Sequence, residues 1–345
     1  MIYCLLLNSY LTLVWTDWRN SETLGQRINY DSFNWFNDGG WEELFIVGTA
    51  FRIGVFKALK NGPLSLHELA VKIDADKRAL KVFLGALSNS DYVIEAEDQF
   101  SISTEIKNKL ADEDSPDFLG YSVSHSFRLA ERWITLPTVV RSGKPFQGDR
   151  FSETVKGFVG AMDVYARITA KRVVDICFEL NPDIIKMLDI GGALGTVSKL
   201  FAQIGIKTTL FDTPDVIEIT SKELADLENI SFEAGDFNED LPAGEFDLVY
   251  LGNVTHIYGP EKNKILYKRV ADRLSAGGMI AILDFVRGIS PSAPYFGVNM
   301  LVNTESGGTW TVDEYTEWLK AAGFSDIDFH NVDNRDQQLV TAKLA

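Results

Sequence analysis

The stretch Met187-Leu-Asp-Ile-Gly-Gly-Ala-Leu-Gly195 decides how this chain folds. It continues an apolar run that begins at Ile184, and the residues that follow, Thr196-Val-Ser-Lys-Leu-Phe-Ala-Gln203, have the pattern of a helix. A strand that turns directly into a helix leaves backbone N–H groups at the helix N-terminus available to a polar ligand. Glycine lets that ligand touch the main chain, because it has no Cβ atom. The stretch therefore predicts a loop that binds a small-molecule cofactor.

Strands and helices alternate from this stretch to the end of the chain. Predicted strands occupy residues 184–190, 208–211, 230–232, 246–251, 279–285, 327–329 and 338–344. Predicted helices occupy residues 196–204, 215–226, 261–274 and 312–322, and a long helix over 151–180 precedes them. This alternation predicts an α/β fold with a mostly parallel sheet that is covered on both faces. A ligand should then bind across the carboxyl ends of the strands.

The N-terminal part of the chain has a different pattern, of helices followed by a hairpin. Apolar residues at three- and four-residue steps predict a helix from about residue 31 to the Asn61-Gly-Pro63 stop. Ser65 and Glu68 predict a capping box, and a third helix should begin at Asp76. Two short β segments around residues 92–95 and 100–103 complete the order of a winged helix-turn-helix. We interpret residues 30–145 as a winged-helix-like dimerisation domain, residues 1–29 as an extension and residues 146–345 as the catalytic domain.

Composition limits the partners and the compartment. A net charge of −16 over 345 residues, with an acidic hairpin turn at residues 95–98, argues against nucleic acid and anionic membranes. Two cysteines and four scattered histidines supply neither a disulfide framework nor a metal site. The apolar segment at residues 1–15 is too short to span a bilayer and lacks the basic start of a signal peptide. We expect a cytoplasmic protein that binds no metal.

Three acidic positions identify the cofactor. The loop lacks the G-x-G-x-x-G spacing of dinucleotide sites, and Asp189 before it suits a ligand end that carries a positive amine rather than a pyrophosphate. Asp212, at the end of the next predicted strand, can accept two ribose hydroxyls. Asp236 and Phe237, after the third strand, can accept an adenine N–H and stack on the base. Amine, ribose and adenine without phosphate together indicate S-adenosylmethionine.

The ordered set of motifs resembles the class I methyltransferases, specifically the two-domain small-molecule O-methyltransferases of plant caffeate and bacterial antibiotic pathways. The segments that carry the resemblance are residues 189–195, 211–218, 235–237, 246–256, 274–278, 299–303 and 318–324. The resemblance implies a Rossmann-like seven-stranded sheet, a winged-helix dimerisation domain, a homodimer, and S-adenosyl-L-homocysteine as the product of the cofactor. It places Gly191, Gly192 and Gly195 against the methionine part of the cofactor.

Two positions near the cofactor depart from the family pattern. Ala193 stands where the family often has glycine, and its methyl group narrows the approach to the loop. Gly252 stands where plant members commonly carry a lysine. The contact of that lysine is then lost, or Asn253 supplies it.

The resemblance also implies a general base, His256, after the fourth strand. A phenol has a pKa of about 10, so its anion is scarce at neutral pH, whereas a histidine with a pKa near 6.5 is mostly free base. Asp284 matches the first of two carboxylates that orient this histidine in the family. The second should lie near Gly308-Thr-Trp-Thr311, where no acid occurs, and Glu305 is a possible substitute. Asp313 and Glu314 fit the start of the next helix better.

The acceptor pocket should be lined by the long helix and by the segment around residue 300. The candidate residues are Phe158, Met162, Tyr165, Asn299, Met300 and Asn303. Core packing explains each of them equally well when it is taken singly. An apolar lining with a few amides fits a small aromatic or polyketide-like acceptor.

Alternative functions remain open at this point. C- or N-methylation, or another S-adenosylmethionine-assisted reaction, would use the same fold and cofactor. A ligand-sensing winged-helix regulator belongs to a different class, and the acidic N-terminal domain argues against it. The spacing of the glycines makes an NAD-dependent oxidoreductase the weakest of these hypotheses.

Overall fold

A computed structural model describes residues 40–147, 154–332 and 336–345. The predicted extension over residues 1–29 and the predicted helix start near residue 31 lie outside these ranges. The chain divides after Phe118 into two compact units. Of the helices in the described ranges, none combines the length and the apolar character needed to span a lipid bilayer.

The described part of the first unit is mainly helical, with a small antiparallel sheet. Its helices are α1 (Trp41–Arg52), α2 (Val55–Leu59), α3 (Leu66–Lys72), α4 (Lys77–Asn89) and α5 (Thr104–Ile106), with a π-helical turn at Lys107–Ala111. Its strands are β1 (Leu64–Ser65), β2 (Ile94–Ala96) and β3 (Gln99–Ser101), and β3 lies between the other two. Helices followed by a hairpin are the arrangement that the sequence predicts for this part of the chain.

Local signals fix the helix ends of this unit. The hydroxyl of Ser65 accepts the N–H of Glu68, whose carboxylate accepts the N–H of Ser65 in return, so the predicted capping box is present. Asp76 caps α4 by accepting the N–H of Ala79. The single helix predicted up to residue 61 is wrong in one respect, because Gly54 adopts a left-handed φ of 83° and breaks it into α1 and α2.

The second unit, Leu119–Ala345, begins earlier in the chain than the predicted catalytic domain at residue 146. Helices α6 (Gly120–Trp133) and α7 (Leu136–Ser142) explain the difference, because they pack within this unit. Helix α6 lies along α8 (Val155–Leu180), and α12 (Ala293–Asn303) contacts both α6 and α7.

The remaining elements of the second unit alternate as the sequence predicts. Its strands are β4 (Lys186–Ile190), β5 (Lys207–Asp212), β6 (Ile230–Ala234), β7 (Phe246–Gly252), β8 (Leu274–Asp284), β9 (Val286–Arg287), β10 (Trp310–Thr311), β11 (Phe324–Asn331) and β12 (Gln338–Leu344). Its other helices are α9 (Thr196–Gln203), α10 (Pro214–Glu223), α11 (Pro260–Ala271) and α13 (Val312–Ala321). Strand β8 begins at Leu274 rather than at the predicted residue 279, because Leu274 already pairs with Phe246 before an irregularity in the register.

The main sheet has seven strands in the order β11-β12-β8-β7-β4-β5-β6. Strand β12 runs antiparallel to β8 and β11, and the pairs from β8 through β7, β4 and β5 to β6 are parallel. This topology confirms the predicted α/β fold class with its mostly parallel sheet. Strands β5 and β7 flank β4, so the order in which the strands are added to the sheet reverses beside β4. Open α/β sheets bind ligands at such a switch point.

Both faces of the sheet are buried. Leu188 and Ile190 face one side and belong to a core that includes Tyr267 of α11 and Leu319 of α13. Met187 faces the other side, in a core that includes Phe201 of α9. The sheet therefore holds the carboxyl end of β4 rigidly in the middle of the unit.

Candidate active site

The loop after β4 turns through three left-handed residues. Gly191, Ala193 and Gly195 have φ values of 70°, 48° and 72°. The N–H of Gly191 donates to the carbonyl of Phe211 over 2.8 Å, and the N–H of Gly195 donates to the carbonyl of Gly192 over 2.8 Å. These bonds join the loop to β5 and close it directly before α9.

The packing around the loop explains why its glycines carry no side chain. A Cβ atom at Gly192 would lie 2.7 Å from Leu210 and 3.1 Å from the carboxylate of Asp189, and one at Gly195 would lie 2.8 Å from Leu210. At Gly191 a Cβ atom would lie 2.8 Å from Val254. The protein's own side chains thus press against the loop on these sides, and its main chain lies directly against Asp189.

Ala193, the departure from the family pattern, sits at one of the left-handed positions. This conformation is strained for a residue with a Cβ atom and is free for glycine, which gives a physical reason for glycine there in the family. Two hydrogen bonds hold the alanine in place. Its N–H donates to Oδ2 of Asp212 over 3.0 Å, and its carbonyl accepts the hydroxyl of Thr220 over 2.6 Å.

Asp189 is a buried carboxylate at the carboxyl end of β4. Its side chain accepts the hydroxyl of Ser198 at Oδ2 over 2.6 Å, and only 2% of the residue is exposed. Burial, with a smaller contribution from the negative charge of Asp212, raises the pKa of Asp189 to about 7 against the opposing effect of the bond from Ser198. No ion pair to Asp189 occurs among the residues that the structure describes. A cationic group placed beside it would stabilise its ionised form.

Asp212 and Asp236 follow the next two strands, and the backbone links them. Burial raises the pKa of Asp212, although its two oxygens accept the N–H groups of Ala193 and Thr213. The N–H of Gly235 donates to the carbonyl of Asp212 over 3.0 Å, which brings the end of β6 to the end of β5. Asp189, Asp212 and Asp236 therefore lie at one edge of the sheet, as the prediction of parallel strands requires.

At the predicted adenine site, Asp236 is exposed to solvent and Phe237 contributes an aromatic ring. Oδ1 of Asp236 accepts both the N–H and the side-chain amide of Asn238, each over 2.8 Å. The ring of Phe237 is half-buried and meets the ring of Tyr258 edge to face, with 5.5 Å between the ring centres. The role of both residues in binding adenine stays a prediction.

Gly252 ends β7, and Asn253 follows it. Asn253 has a left-handed φ of 60°, and its side-chain oxygen accepts the amide of Gln337 over 2.7 Å. Gln337 immediately precedes β12, so the predicted contact of Asn253 with the cofactor competes with a bond inside the protein. Gly252 is covered by the side chain of Tyr250, whose hydroxyl oxygen would lie 2.6 Å from a Cβ atom at this position.

His256 and Asp284 form a buried pair. Nδ1 of His256 lies 2.8 Å from Oδ1 of Asp284, and both side chains are over nine-tenths buried. The same carboxylate accepts the backbone N–H of His256 over 3.0 Å and the hydroxyl of Thr255 over 2.6 Å at Oδ2. The N–H of Phe285 donates to Oδ1 over 2.8 Å. Four donors therefore fix the carboxylate that holds the imidazole.

The second orienting carboxylate has no counterpart beside His256 among the described residues. The hydroxyl of Thr309 is buried and donates to the carbonyl of Ala293, while Glu305 is exposed. Glu314 closes a capping box with Thr311, which agrees with its predicted place at a helix start.

An aromatic wall lies against the imidazole instead. The ring of Phe296 on α12 meets the ring of His256 nearly at right angles, with 4.8 Å between the ring centres. Phe285 packs on Phe296 with a centre distance of 4.5 Å. Phe296 is not among the residues predicted for the site, although it lies one helical turn before Asn299 and the helical period places the two on one face.

The predicted acceptor residues fall on two helices. On α12, Asn299 and Asn303 bond to each other over 3.0 Å, and their oxygens also accept Trp133 and Arg132 of α6. Their amide oxygens are therefore engaged within the protein, and Met300 is buried beside them.

On α8, the ring of Phe158 is 44% exposed, and its centre lies 5.9 Å from that of His125. Met162 is half-buried, and the hydroxyl of Tyr165 accepts that of Ser122 over 3.2 Å. The side chains of Phe158 and Met162 on α8 are therefore partly exposed to solvent. In the described ranges, no group of three or more His, Cys, Asp or Glu side chains is arranged to hold a metal ion.

Two relatives align with most of the chain. The tetracenomycin polyketide synthesis 8-O-methyl transferase of Streptomyces glaucescens is 27% identical over 299 residues, 81% of this chain and 87% of that protein. The 3-hydroxy-5-methyl-1-naphthoate 3-O-methyltransferase of Streptomyces sahachiroi is 27% identical over 297 residues, 81% of this chain and 85% of that protein.

The fold also matches a solved structure, that of human N-acetylserotonin methyltransferase in complex with SAM. The two agree with a TM-score of 0.72 at 22% identity, over 94% of this chain and 99% of that one. The family pattern of the O-methyltransferase domain matches residues 142–325, more than half of the chain, and this chain belongs to that family.

Proposed function

We propose that this protein transfers a methyl group from S-adenosylmethionine to a hydroxyl group of a small aromatic or polyketide-like metabolite, with His256 as the general base. The observation that carries the proposal is the bond of 2.8 Å between Nδ1 of His256 and Asp284 at the edge of the sheet that also holds Asp189 and Asp212. The residues proposed to bind the cofactor and the proposed base thus lie at the same end of the sheet.

The residues at this edge fit the cofactor. Asp189 is a buried carboxylate without an ion pair among the described residues, and it matches the positive amine of the amino-acid end. Asp212 keeps lone pairs for ribose hydroxyls, because each of its oxygens accepts only one backbone N–H. Asp236 and Phe237 supply an acceptor and an aromatic face for adenine. When bound, S-adenosylmethionine supplies an electrophilic methyl group on a sulfonium sulfur.

The pair of His256 and Asp284 can remove the proton of the acceptor hydroxyl. A carboxylate at Nδ1 selects the tautomer that carries its proton there, so that Nε2 keeps its lone pair. Nε2 then takes the proton as the acceptor oxygen attacks the methyl carbon. Asp284 stabilises the imidazolium that forms, because its charge is buried 2.8 Å from the ring. Base catalysis of this kind contributes about 10²- to 10⁴-fold to a rate.

The proposed acceptor class follows from the aromatic wall and from the relatives. Phe296 and Phe285 present ring surfaces beside His256, and aromatic rings pack well on such surfaces. By their names, one of the two relatives is an 8-O-methyl transferase of tetracenomycin polyketide synthesis and the other is a 3-O-methyltransferase of a hydroxynaphthoate. A fused aromatic phenol is therefore the acceptor to test first.

We also propose that the winged-helix-like part of the chain mediates homodimerisation. Large apolar side chains are exposed on its helices and their ends, namely Trp41, Ile53, Val71 and Val82. Such residues are candidates for a subunit interface. Sedimentation velocity at micromolar concentration should show a dimer, and a monomer alone would contradict the proposal.

The experiment that tests the function compares the wild type with His256→Ala. Calorimetry should show S-adenosylhomocysteine binding equally to both proteins, because the imidazole faces the acceptor. Methyl transfer to a panel of hydroxylated aromatics should fall by about 10²- to 10⁴-fold in the variant. Phenols that are already ionised at the assay pH should retain most of their rate, because they need no base.

The same panel separates the alternatives. Mass spectrometry of the product assigns the methylated atom, and methylation at carbon or nitrogen would contradict O-methylation. An unchanged rate of His256→Ala with a weakly acidic phenol would exclude the histidine as the base. If the wild type failed to bind S-adenosylhomocysteine, the proposed cofactor would be wrong.

A further inference from the structure

Tyr250 of β7 is a buried tyrosine that the mechanism does not use. The residue is 4% exposed, and its hydroxyl makes no hydrogen bond to any residue in the described ranges. It is paired in register with Asp189 of β4, the buried carboxylate of the cofactor loop. Because directly opposed residues of neighbouring strands face the same side of a sheet, Tyr250 and Asp189 extend to the same side.

The side chain of Tyr250 extends toward the carboxyl end of the strand. A Cβ atom on Gly252 would lie 2.6 Å from its hydroxyl oxygen, 2.9 Å from Cε1 and 3.0 Å from Cζ. The outer part of the ring therefore covers the last residue of β7. This position lies beside the switch point in the strand order next to β4. Open α/β sheets generally bind their ligands at such a switch point.

The charges around the hydroxyl indicate what it can do. Burial raises the pKa of Tyr250 well above its usual value, and the negative charges of Asp189 and Asp284 raise it further. The phenol is therefore neutral and can both donate and accept a hydrogen bond.

The hydroxyl oxygen of Tyr250 has no hydrogen-bond partner among the described residues, and the protein does not enclose it completely, so a ligand can reach it. Asn253, the residue that the sequence offers for a cofactor contact here, is bonded to Gln337. We propose that the hydroxyl of Tyr250 hydrogen-bonds the amino-acid end of S-adenosylmethionine, next to Asp189. This inference rests on the proposed function, because it requires that cofactor.

The substitution Tyr250→Phe tests the proposal, because it removes the hydroxyl and keeps the ring over Gly252. Calorimetry should compare two ligands: S-adenosylhomocysteine, which has the amino-acid end, and 5′-deoxy-5′-methylthioadenosine, which lacks it. We expect about three- to tenfold weaker binding of S-adenosylhomocysteine, the range for one hydrogen bond, and unchanged binding of methylthioadenosine. The melting temperature of the ligand-free variant should not fall, because the hydroxyl has no partner to lose within the described residues.

Tyr267→Phe is the matched control. Tyr267 on α11 is as deeply buried, but it belongs to the core on the opposite face of the sheet, so neither ligand should bind differently. If the wild type binds S-adenosylhomocysteine and Tyr250→Phe binds it equally well, the inference is wrong. Equal weakening of both ligands would also overturn it, because the hydroxyl would then act on the adenosine part or on the fold. Failure of the wild type to bind S-adenosylhomocysteine would instead contradict the proposed function.

Discussion

Replacing Asp284 by asparagine is the sharpest test of how the proposed active site holds the proposed base, His256. Oδ1 accepts Nδ1 of His256 and the N–H of Phe285, while Oδ2 accepts the hydroxyl of Thr255 and the N–H of His256. Each oxygen therefore faces one backbone N–H, which cannot rotate away. An amide has one oxygen and one NH₂ group, so in either orientation the NH₂ group opposes a backbone N–H.

The two orientations have different chemical consequences. With the amide oxygen toward Nδ1, the histidine keeps its tautomer but loses the negative charge that stabilises the imidazolium. With the NH₂ group toward Nδ1, that nitrogen must accept a hydrogen bond, so the proton moves to Nε2 and the base is lost. We expect kcat to fall by about 10²- to 10⁴-fold, and stability to fall by roughly 2–3 kcal/mol because a buried N–H is left unpaired and charged hydrogen bonds are lost.

The assay measures kcat for a phenol acceptor, the affinity for S-adenosylhomocysteine and the free energy of unfolding in urea. Asp247→Asn is the control, because Asp247 accepts the N–H groups of Ile185 and Lys186 at Oδ2, far from the site at the amino end of the strands. An amide oxygen can replace that acceptor, so kcat should stay unchanged. If folded Asp284→Asn protein kept kcat within twofold of the wild type, Asp284 would not orient the base and the reasoning would be refuted.

Two further predictions concern the cofactor loop. Folding raises the pKa of Asp189 from its ordinary value of 3.8 to about 7, so the folded state binds the proton more tightly and stability falls as pH rises from about 4 to 7. The ammonium group of S-adenosylhomocysteine favours the ionised carboxylate, so calorimetry should show that the wild type binds this ligand more tightly at pH 8 than at pH 6. The Asp189→Asn variant should bind it more weakly, with an affinity that changes less with pH. Affinities of the variant that change with pH as much as those of the wild type would contradict this prediction. Ala193→Gly should raise the free energy of unfolding in urea by about 0.5–1 kcal/mol, because relief of roughly 1–2 kcal/mol of left-handed strain exceeds the entropy that glycine adds to the unfolded chain. A lower free energy of unfolding would show that Ala193 is not strained.

The sequence predicts that the three carboxylates lie at one edge of the sheet, for a reason that is general to parallel sheets. Asp189, Asp212 and Asp236 each follow a strand, and parallel strands end at one edge, so their positions along the chain determine their proximity. The periodicity of the strands is a local signal that needs no knowledge of packing. The same holds for the capping box at Ser65, where both partners lie within one helical turn.

The sequence does not predict contacts that depend on insertion of a distant strand. Strand β12 enters the sheet between β8 and β11 from the end of the chain, and Gln337 just before it reaches Asn253. No spacing rule links these two positions, because the pairing depends on where the antiparallel strand inserts. The left-handed conformation of Ala193 is hidden for another reason, since an alanine gives no local sign of a positive φ.

No second carboxylate lies beside His256 in the described ranges, and this illustrates how packing can replace a charge. A histidine base needs one partner that selects its tautomer and something that fixes the plane of its ring. Asp284 selects the tautomer by itself, because Thr255 and two backbone N–H groups hold its carboxylate in position. Phe296 meets the imidazole at an angle of 84° and restricts its rotation by steric contact, which requires no charge. If His256 is the base that we propose, one carboxylate and one aromatic wall meet both requirements without the acidic residue expected near Thr309.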